Sequence, residues 1–253
     1  MEIKLCHGDC LSVMGKIKPL SVDLLATDLP YGTTQNSWDS VIPLDQLWKK
    51  IKKVMKPNGN MVFTASQPFT SILVMSNLKD FKYEIIWQKT IGSGQLSINH
   101  RPLKIHESIL VFNGGGKATY NEQLTDGEPY TIIRKMEKFG VSNYNQQKDH
   151  TSTNNGTRRA KSIITIPNPR IKNGHPTQKP LKLMDYIIET YSNKNDLVLD
   201  CCIGSGTTGE SCINLDRNFI GIEIDDKYYD VAAKRLQDLI IDKDIKITLK
   251  SYM

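Results

Sequence analysis

The feature that most constrains this chain is a strand, a glycine turn and a helix that come late in it. Val198-Leu199-Asp200-Cys201-Cys202-Ile203-Gly204-Ser205-Gly206-Thr207-Thr208-Gly209 runs from an apolar strand into a turn, and the next strand, Phe219 to Ile224, carries Glu223 near its end. Glycines let backbone approach a ligand closely, and a carboxylate after the following strand can accept hydrogen bonds from ribose hydroxyls. The pattern suits a nucleoside-containing cofactor; a tight structural turn is the competing explanation of the glycines alone. Position decides more than the letters do. The residues after Gly206 suffice for about one helix–strand–helix unit, whereas a dinucleotide fold normally sets a second βαβ half downstream. The other strands are therefore expected from the upstream half, an order unusual for a nicotinamide- or flavin-dependent oxidoreductase.

Upstream, Ile3 to Leu5 and Val22 to Ala26 are short apolar runs ending in Gly8-Asp9 and Asp28-Leu29-Pro30, and both read as buried strands. Leu44, Leu47, Trp48, Ile51, Val54 and Met55 recur at helical spacing, with Pro57-Asn58-Gly59 as the stop. Met61 to Thr64, Glu84 to Gln88 and Ser108 to Phe112 read as strands, and Pro68 to Leu78 as a helix. Pro180 suits a first helical position, followed by Leu181, Met184, Ile187, Ile188 and Tyr191 on one face. Asp226 is expected to cap a helix carrying Val231, Leu236, Leu239 and Ile240. Strands alternating with helices imply an α/β fold with a Rossmann-like, mostly parallel sheet.

Between 114 and 170 the character changes to Asn, Gln, Thr, Lys and Arg with few apolar periods. A stretch that long inside a compact domain is usually functional or disordered. The expected organisation is a main domain of 1–113 and 171–253 with a small inserted region of 114–170. The net charge is +6, and Lys89 to Arg170 holds 12 Lys/Arg against 6 Asp/Glu, so all the excess lies in that third. An ordinary solvated surface would account for this excess, and localised positive charge equally suits a phosphate-contacting face. Five cysteines form no even framework, and no second CxxC or nearby His pair supports zinc, so reduced structural thiols and no metal are expected. No apolar run approaches a membrane span and the first residues carry no secretory pattern; the expected location is the cytoplasm, of a bacterium, an archaeon or a phage-infected cell.

The second chemical motif is Asp28-Leu29-Pro30-Tyr31, at the carboxyl end of a strand, where ligands of parallel sheets bind. A carboxylate there and a carbonyl near Leu29 or Pro30 could each accept a hydrogen from an exocyclic amine. The nitrogen lone pair, otherwise delocalised into a ring, could then attack a sulfonium methyl in line. Tyr31 offers a face on which a base could stack. An Asx turn after a strand remains the alternative.

Together these segments resemble the amino-methylating DNA methyltransferases, in the permuted group whose catalytic motif precedes the cofactor glycines. Gly8-Asp9-Cys10-Leu11, Asp28-Leu29-Pro30-Tyr31, Trp38-Asp39, His106-Glu107-Ser108, His175-Pro176-Thr177-Gln178-Lys179-Pro180, Gly204-Ser205-Gly206-Thr207-Thr208 and Gly221-Ile222-Glu223 follow the family's order. The resemblance implies S-adenosyl-L-methionine as cofactor and adenine N6 in double-stranded DNA, flipped from the duplex, as acceptor. It implies Asp28, Leu29, Pro30 and Tyr31 as catalytic residues, and Asp9, Lys179, Pro180, Asp200, Gly204, Ser205, Gly206, Thr207, Thr208 and Glu223 around the cofactor. Tyr31, Trp38 and His106 would meet the target base, and Arg158 and Arg159 of the insert would contact DNA, with Lys161 and Arg170 as further candidates. Some relatives are dimers, so a homodimer is an implied assembly. Leu29 replaces the family's usual first proline and Cys201-Cys202 its Pro-Phe. Asp28 favours adenine, since cytosine-N4 enzymes more often carry serine there. Cytosine-N4 methylation and a catalytically impaired DNA-binding relative stay open as alternatives.

Overall fold

The computed structural model describes residues 1–32, 40–134, 149–168, 178–241 and 245–251. In chain order the elements are β1 (Glu2–His7), α1 (Cys10–Met14), β2 (Val22–Asp28), α2 (Leu44–Val54), β3 (Met55–Ala65), α3 (Phe69–Ser76), β4 (Phe81–Ser93) and β5 (Lys104–Asn113). There follow β6 (Thr125–Asp126), β7 (Tyr130–Arg134), β8 (His150–Asn154), β9 (Thr157–Arg158) and β10 (Ile163–Thr165). The last part holds α4 (Leu181–Tyr191), β11 (Leu197–Asp200), α5 (Thr207–Asn214), β12 (Asn218–Glu223), α6 (Asp226–Ile240) and β13 (Lys246–Ser251).

Among the described residues nine strands form one sheet in the order β10-β4-β5-β3-β2-β11-β12-β1-β13. All neighbours are parallel except those of β5, which runs against β3 and β4. Strands covered on both faces read as near-continuous apolar runs, as Val22 to Ala26 does. Leu25, Met61 and Phe63 point to a core shared with α1, α2 and α3, while Leu24, Ala26 and Val62 point to a second core shared with α4, α5 and α6. In the first core the fully buried Phe63 meets Trp48 and Phe112 edge to face, at ring centroid distances of 5.4 and 5.5 Å. Such arrangements match the positive ring edge to the negative face.

Parallel pairing sets Val198 beside Leu24 and Leu199 beside Leu25, so Asp28 and Asp200 end neighbouring strands. A buried hydrogen bond fastens the two tips: Thr27 Oγ1 donates to Asp200 Oδ1 at 2.7 Å. Asp200 also accepts from Thr208 Oγ1 at 2.6 Å and from the Cys202 amide at 3.0 Å.

Several boundaries differ from expectation, each for a local reason. Met55 takes extended backbone and its N–H closes α2 onto the Ile51 carbonyl, so the helix ends before Pro57 and β3 runs through Pro57-Asn58-Gly59. Asp225, not Asp226, caps α6 by accepting from the Tyr228 amide. Pro180 is the residue before α4 rather than its first turn. Val231 is 42% exposed and lies off the buried face of α6.

A separate compact unit spans Glu122–Lys161, narrower than 114–170. Residues on either side join the main unit: the Asn121 amide donates to the Thr190 carbonyl, and β10 pairs with β4. Among its described residues the small unit holds two antiparallel pairs, β6 with β9 and β7 with β8. Among the described residues no helix is long and apolar enough to cross a membrane.

Two stability outcomes follow. Phe63→Ala should lower unfolding free energy by about 3–5 kcal/mol in urea titrations, because the rings around it cannot close the void. Burial pushes the Asp200 carboxyl up to about 6, against hydrogen bonds from Thr208, Thr27 and the Cys202 amide that pull it down. An unfolded aspartate ionises near 3.8, so between that value and about 6 the native state holds a proton that the unfolded chain has lost. Its contribution to stability therefore falls as pH rises through that window. Asp200→Asn has no such proton, so its stability relative to the parent should improve by on the order of 2 kcal/mol between pH of about 4 and about 7. Urea midpoints of both proteins at the two pH values measure this.

Candidate active site

The carboxyl ends of β2, β11 and β12 open into a cavity of about 850 Å³. Because β5 runs antiparallel, it brings its beginning rather than its end to this edge, and Glu107 lines the cavity with Lys89 of β4.

One half of the site is ionic. Asp28 Oδ1 accepts from the Tyr31 hydroxyl and from Thr64 Oγ1, both at 2.5 Å. Oδ2 accepts from Lys179 Nζ, also at 2.5 Å. Lys179 lies 3.4 Å from Glu107 Oε2, and Glu107 Oε1 accepts from Lys89 Nζ. Two carboxylates and two ammonium groups thus alternate. Burial opposes the charge on Lys179, yet Asp28 and Glu107 raise its pKa above the ordinary lysine value. Burial likewise pushes the Glu107 carboxyl up, but Lys179 and Lys89 hold it below the usual range. The Tyr31 ring stacks on Phe69 with centroids 5.4 Å apart, and Lys179 Nζ sits 5.7 Å from its centre. Burial and the neighbouring Asp28 hold the Tyr31 hydroxyl well above its ordinary range, so it stays a donor.

The other half is built on backbone and buried acids. Gly204 and Gly206 take φ of 53° and 85°, the left-handed region that side chains disfavour. A Cβ on Gly206 would come 3.2 Å from Ala232 Cα, so the turn packs directly on α6. Glu223 Oε2 accepts the Gly204 amide at 2.8 Å, and Oε1 accepts those of Ile224 and Asp225 at 3.0 Å each. Burial raises the Glu223 carboxyl despite these bonds. Asp9 caps α1 by accepting from the Ser12 amide at 2.8 Å. Cys10, Cys201 and Cys202 share the wall. Their thiols hydrogen-bond one another, which pulls Cys10 below the ordinary range and pushes the other two above it.

Of the residues singled out in the sequence, Asp9, Asp28, Leu29, Pro30, Tyr31, Lys179, Asp200, Gly204, Ser205, Thr207, Thr208 and Glu223 line this one cavity. Leu29 is buried and packs into the core beneath α1 to α3, so the leucine that replaces the usual proline anchors the turn by burial. Pro180 is buried at the start of α4, and Gly206 supports the turn; neither lines the cavity. His106 does not reach it. Side chains alternate across a strand, so His106 is exposed and its neighbour Glu107 points inward. Arg158 donates to Asn154 Oδ1 and to the carbonyls of Thr157 and Glu128, and stacks over Tyr130, so its guanidinium ties the small unit together. Arg159 pairs with Glu122 at 2.5 Å and is otherwise exposed. Trp38, Arg170 and His175 lie outside the described residues. Lys89, Thr64 and Thr27 had no role in the sequence reading, and Glu107 appeared there only as part of the segment His106-Glu107-Ser108, with no role of its own. Period-two alternation about the buried run from Ser108 would have pointed to Glu107.

Comparison with known proteins agrees with this geometry. A family model described as DNA methylase matches residues 22–234. The chain is similar to the DNA adenine methyltransferase YhdJ of Escherichia coli, 30% identical over 246 residues that cover 91% of this chain and 81% of the relative. It is similar to the type II methyltransferase M2.LlaDCHI of Lactococcus lactis subsp. cremoris, 30% identical over 260 residues covering 92% and 88%. Among solved structures, the M1.HpyAVI–SAM complex superposes with a TM-score of 0.65 at 30% identity, covering 92% of this chain and all of that one. The cytosine-N4-specific PvuII DNA methyltransferase superposes at 0.68 but with 15% identity, which speaks to the fold alone. A cavity that joins the Asp28 turn to the Gly204 loop, in a sheet with one reversed strand and a family match over most of the chain, leads to one conclusion: this protein belongs to the N6/N4 DNA methylase family.

Proposed function

We propose that this protein transfers a methyl group from S-adenosyl-L-methionine to N6 of an adenine everted from duplex DNA. The observation that carries the reading is the shared cavity over the adjacent tips of β2 and β11, with Asp28 on one and the glycine loop on the other. The cofactor half fits that molecule by its donor set. Asp9 and Glu223 offer carboxylate oxygens to hydroxyl and amino hydrogens, Ile203 and Ile222 offer apolar surface, and the positive-φ glycines leave room for close approach. The cofactor supplies a methyl group on a positively charged sulfur.

The chain's own residues do the rest. Asp28 Oδ1 already accepts two hydrogen bonds, whereas Oδ2 accepts one, so Oδ2 keeps a lone pair for an amino hydrogen of the base. A carbonyl of the Leu29-Pro30 turn would take the second hydrogen. Withdrawing both hydrogens from the ring plane localises the nitrogen lone pair, which is electrostatic positioning rather than covalent catalysis. Tyr31, backed by Phe69, gives the base a stacking surface. Asp28 rather than serine favours adenine. Arg159 and the small unit are proposed to face DNA phosphates and bases, with a homodimer in the cytoplasm as the working assembly.

Incubation with tritiated cofactor and DNA from a methylation-free host should label DNA, and nucleoside digestion should place the label in N6-methyladenine. Label in N4-methylcytosine would transfer the reading to cytosine, and bound DNA without label would mark an inactive relative. Asp28→Asn should slow transfer by about a hundredfold or more while cofactor affinity holds; wild-type turnover would remove Asp28 from catalysis. Glu223→Ala should weaken cofactor binding by about 1.5–3 kcal/mol in calorimetry, the worth of a hydrogen bond to a charged group.

A further inference from the structure

Lys179 and Glu107 are buried charges, with side chains 9% and 12% exposed, and their burial is tolerable only through pairing. The pairing is asymmetric. Lys179 Nζ sits tightly on Asp28 Oδ2, while Glu107 Oε2 faces it at 3.4 Å and has no other hydrogen-bond partner among the described residues. Lys89 holds the other Glu107 oxygen, and β5 fixes the backbone beneath it. An ammonium between two carboxylates stays on the line joining them. With one removed it settles over the other and donates to every lone pair it can reach. On Asp28 the lone pair at risk is the one that the base amino group needs.

We infer that Glu107 is a positioning residue for methyl transfer: it draws the Lys179 ammonium outward, so that Asp28 Oδ2 is held in place and still open to the incoming amine. The inference rests on the amino-methyltransferase reading above, and no relative's name or family description assigns Glu107 a role. Glu107 acts through Lys179 and Asp28 and needs no contact with the substrate.

The test compares Glu107→Gln and Glu107→Asp with wild type in the full chain, by single-turnover transfer of tritiated methyl to DNA across neutral to alkaline pH. Calorimetry with S-adenosyl-L-methionine supplies the readout independent of turnover. Glu107→Gln should slow transfer by about tenfold to a hundredfold, the scale of a misplacement near 1 Å, with cofactor affinity within about twofold of wild type. The groups facing Lys179 are Asp28, Glu107, Tyr31, Lys89 and Lys104. Glu107→Gln removes one of its two anions, so the alkaline limb of the rate profile should move to lower pH. Glu107→Asp should recover most of the rate and of the limb. A Glu107→Gln enzyme with wild-type rate and limb would overturn the role. So would cofactor affinity falling in step with rate, which would make Glu107 a cofactor contact. Should Glu107→Gln fail to fold, a Glu107→Asp enzyme whose limb and rate have both collapsed would equally refute rescue by charge. Wild-type protein that labels no DNA would instead overturn the reading on which the role stands.

Discussion

The hydrogen bond from Thr27 to Asp200 joins residues 173 positions apart in the chain and lies wholly in the interior. Its two ends belong to strands that carry the two chemical motifs, and the parallel register of β2 with β11 leaves those motifs side by side. If either strand slipped by one residue, its side chains would exchange faces and the tips would no longer converge. The bond is held in a low-dielectric setting by an acid that also grips Thr208, at the head of α5, and the Cys202 amide. One carboxylate thereby fixes a strand tip, a turn and a helix start. Catalytic geometry here begins as a packing problem in the sheet.

The two halves of the cavity solve opposite electrostatic problems. Around Glu223 the protein uses neutral amides to satisfy an acid, leaving a surface for hydroxyl and amine hydrogens. Around Asp28 it sets acids and bases in alternation, so that the formal charges of Asp28, Lys179, Glu107 and Lys89 sum to zero. A neutral but strongly polar wall can orient an amine without repelling a cation across the cavity. A single unpaired lysine at that depth would repel such a cation, and a single unpaired carboxylate would carry the uncompensated cost of burial.

Much of this was legible from the chain. Apolar runs at Val22 to Ala26 and Leu197 to Leu199, each ending in an acid or a glycine turn, marked the strands and the side on which a site would form. The lateness of Gly204 announced that the sheet takes its strands out of chain order. What escaped were features set by tertiary pairing. Nothing local tells that Ile163–Thr165 joins β4, or that Arg158 closes onto Asn154 and Glu128 instead of facing outward. His106 was favoured over Glu107 because a motif names letters, whereas the face of a strand depends on where pairing begins. Leu29 stands where the family usually carries proline, and its burial at 3% exposure in the core shared with α1 to α3 anchors the turn.

The sheet order carries a consequence for biosynthesis. β1 lies between β12 and β13, both made well after it, and β2 borders β11, from which the whole central part of the sequence separates it. Until β11 to β13 have been made, the nascent polypeptide carries an open flank on β2 and an unpaired β1, both presenting free amides and carbonyls. Such flanks invite association between neighbouring nascent chains. The burden of folding this sheet therefore falls on a late closing step that inserts β11 and β12 between strands that have waited for them.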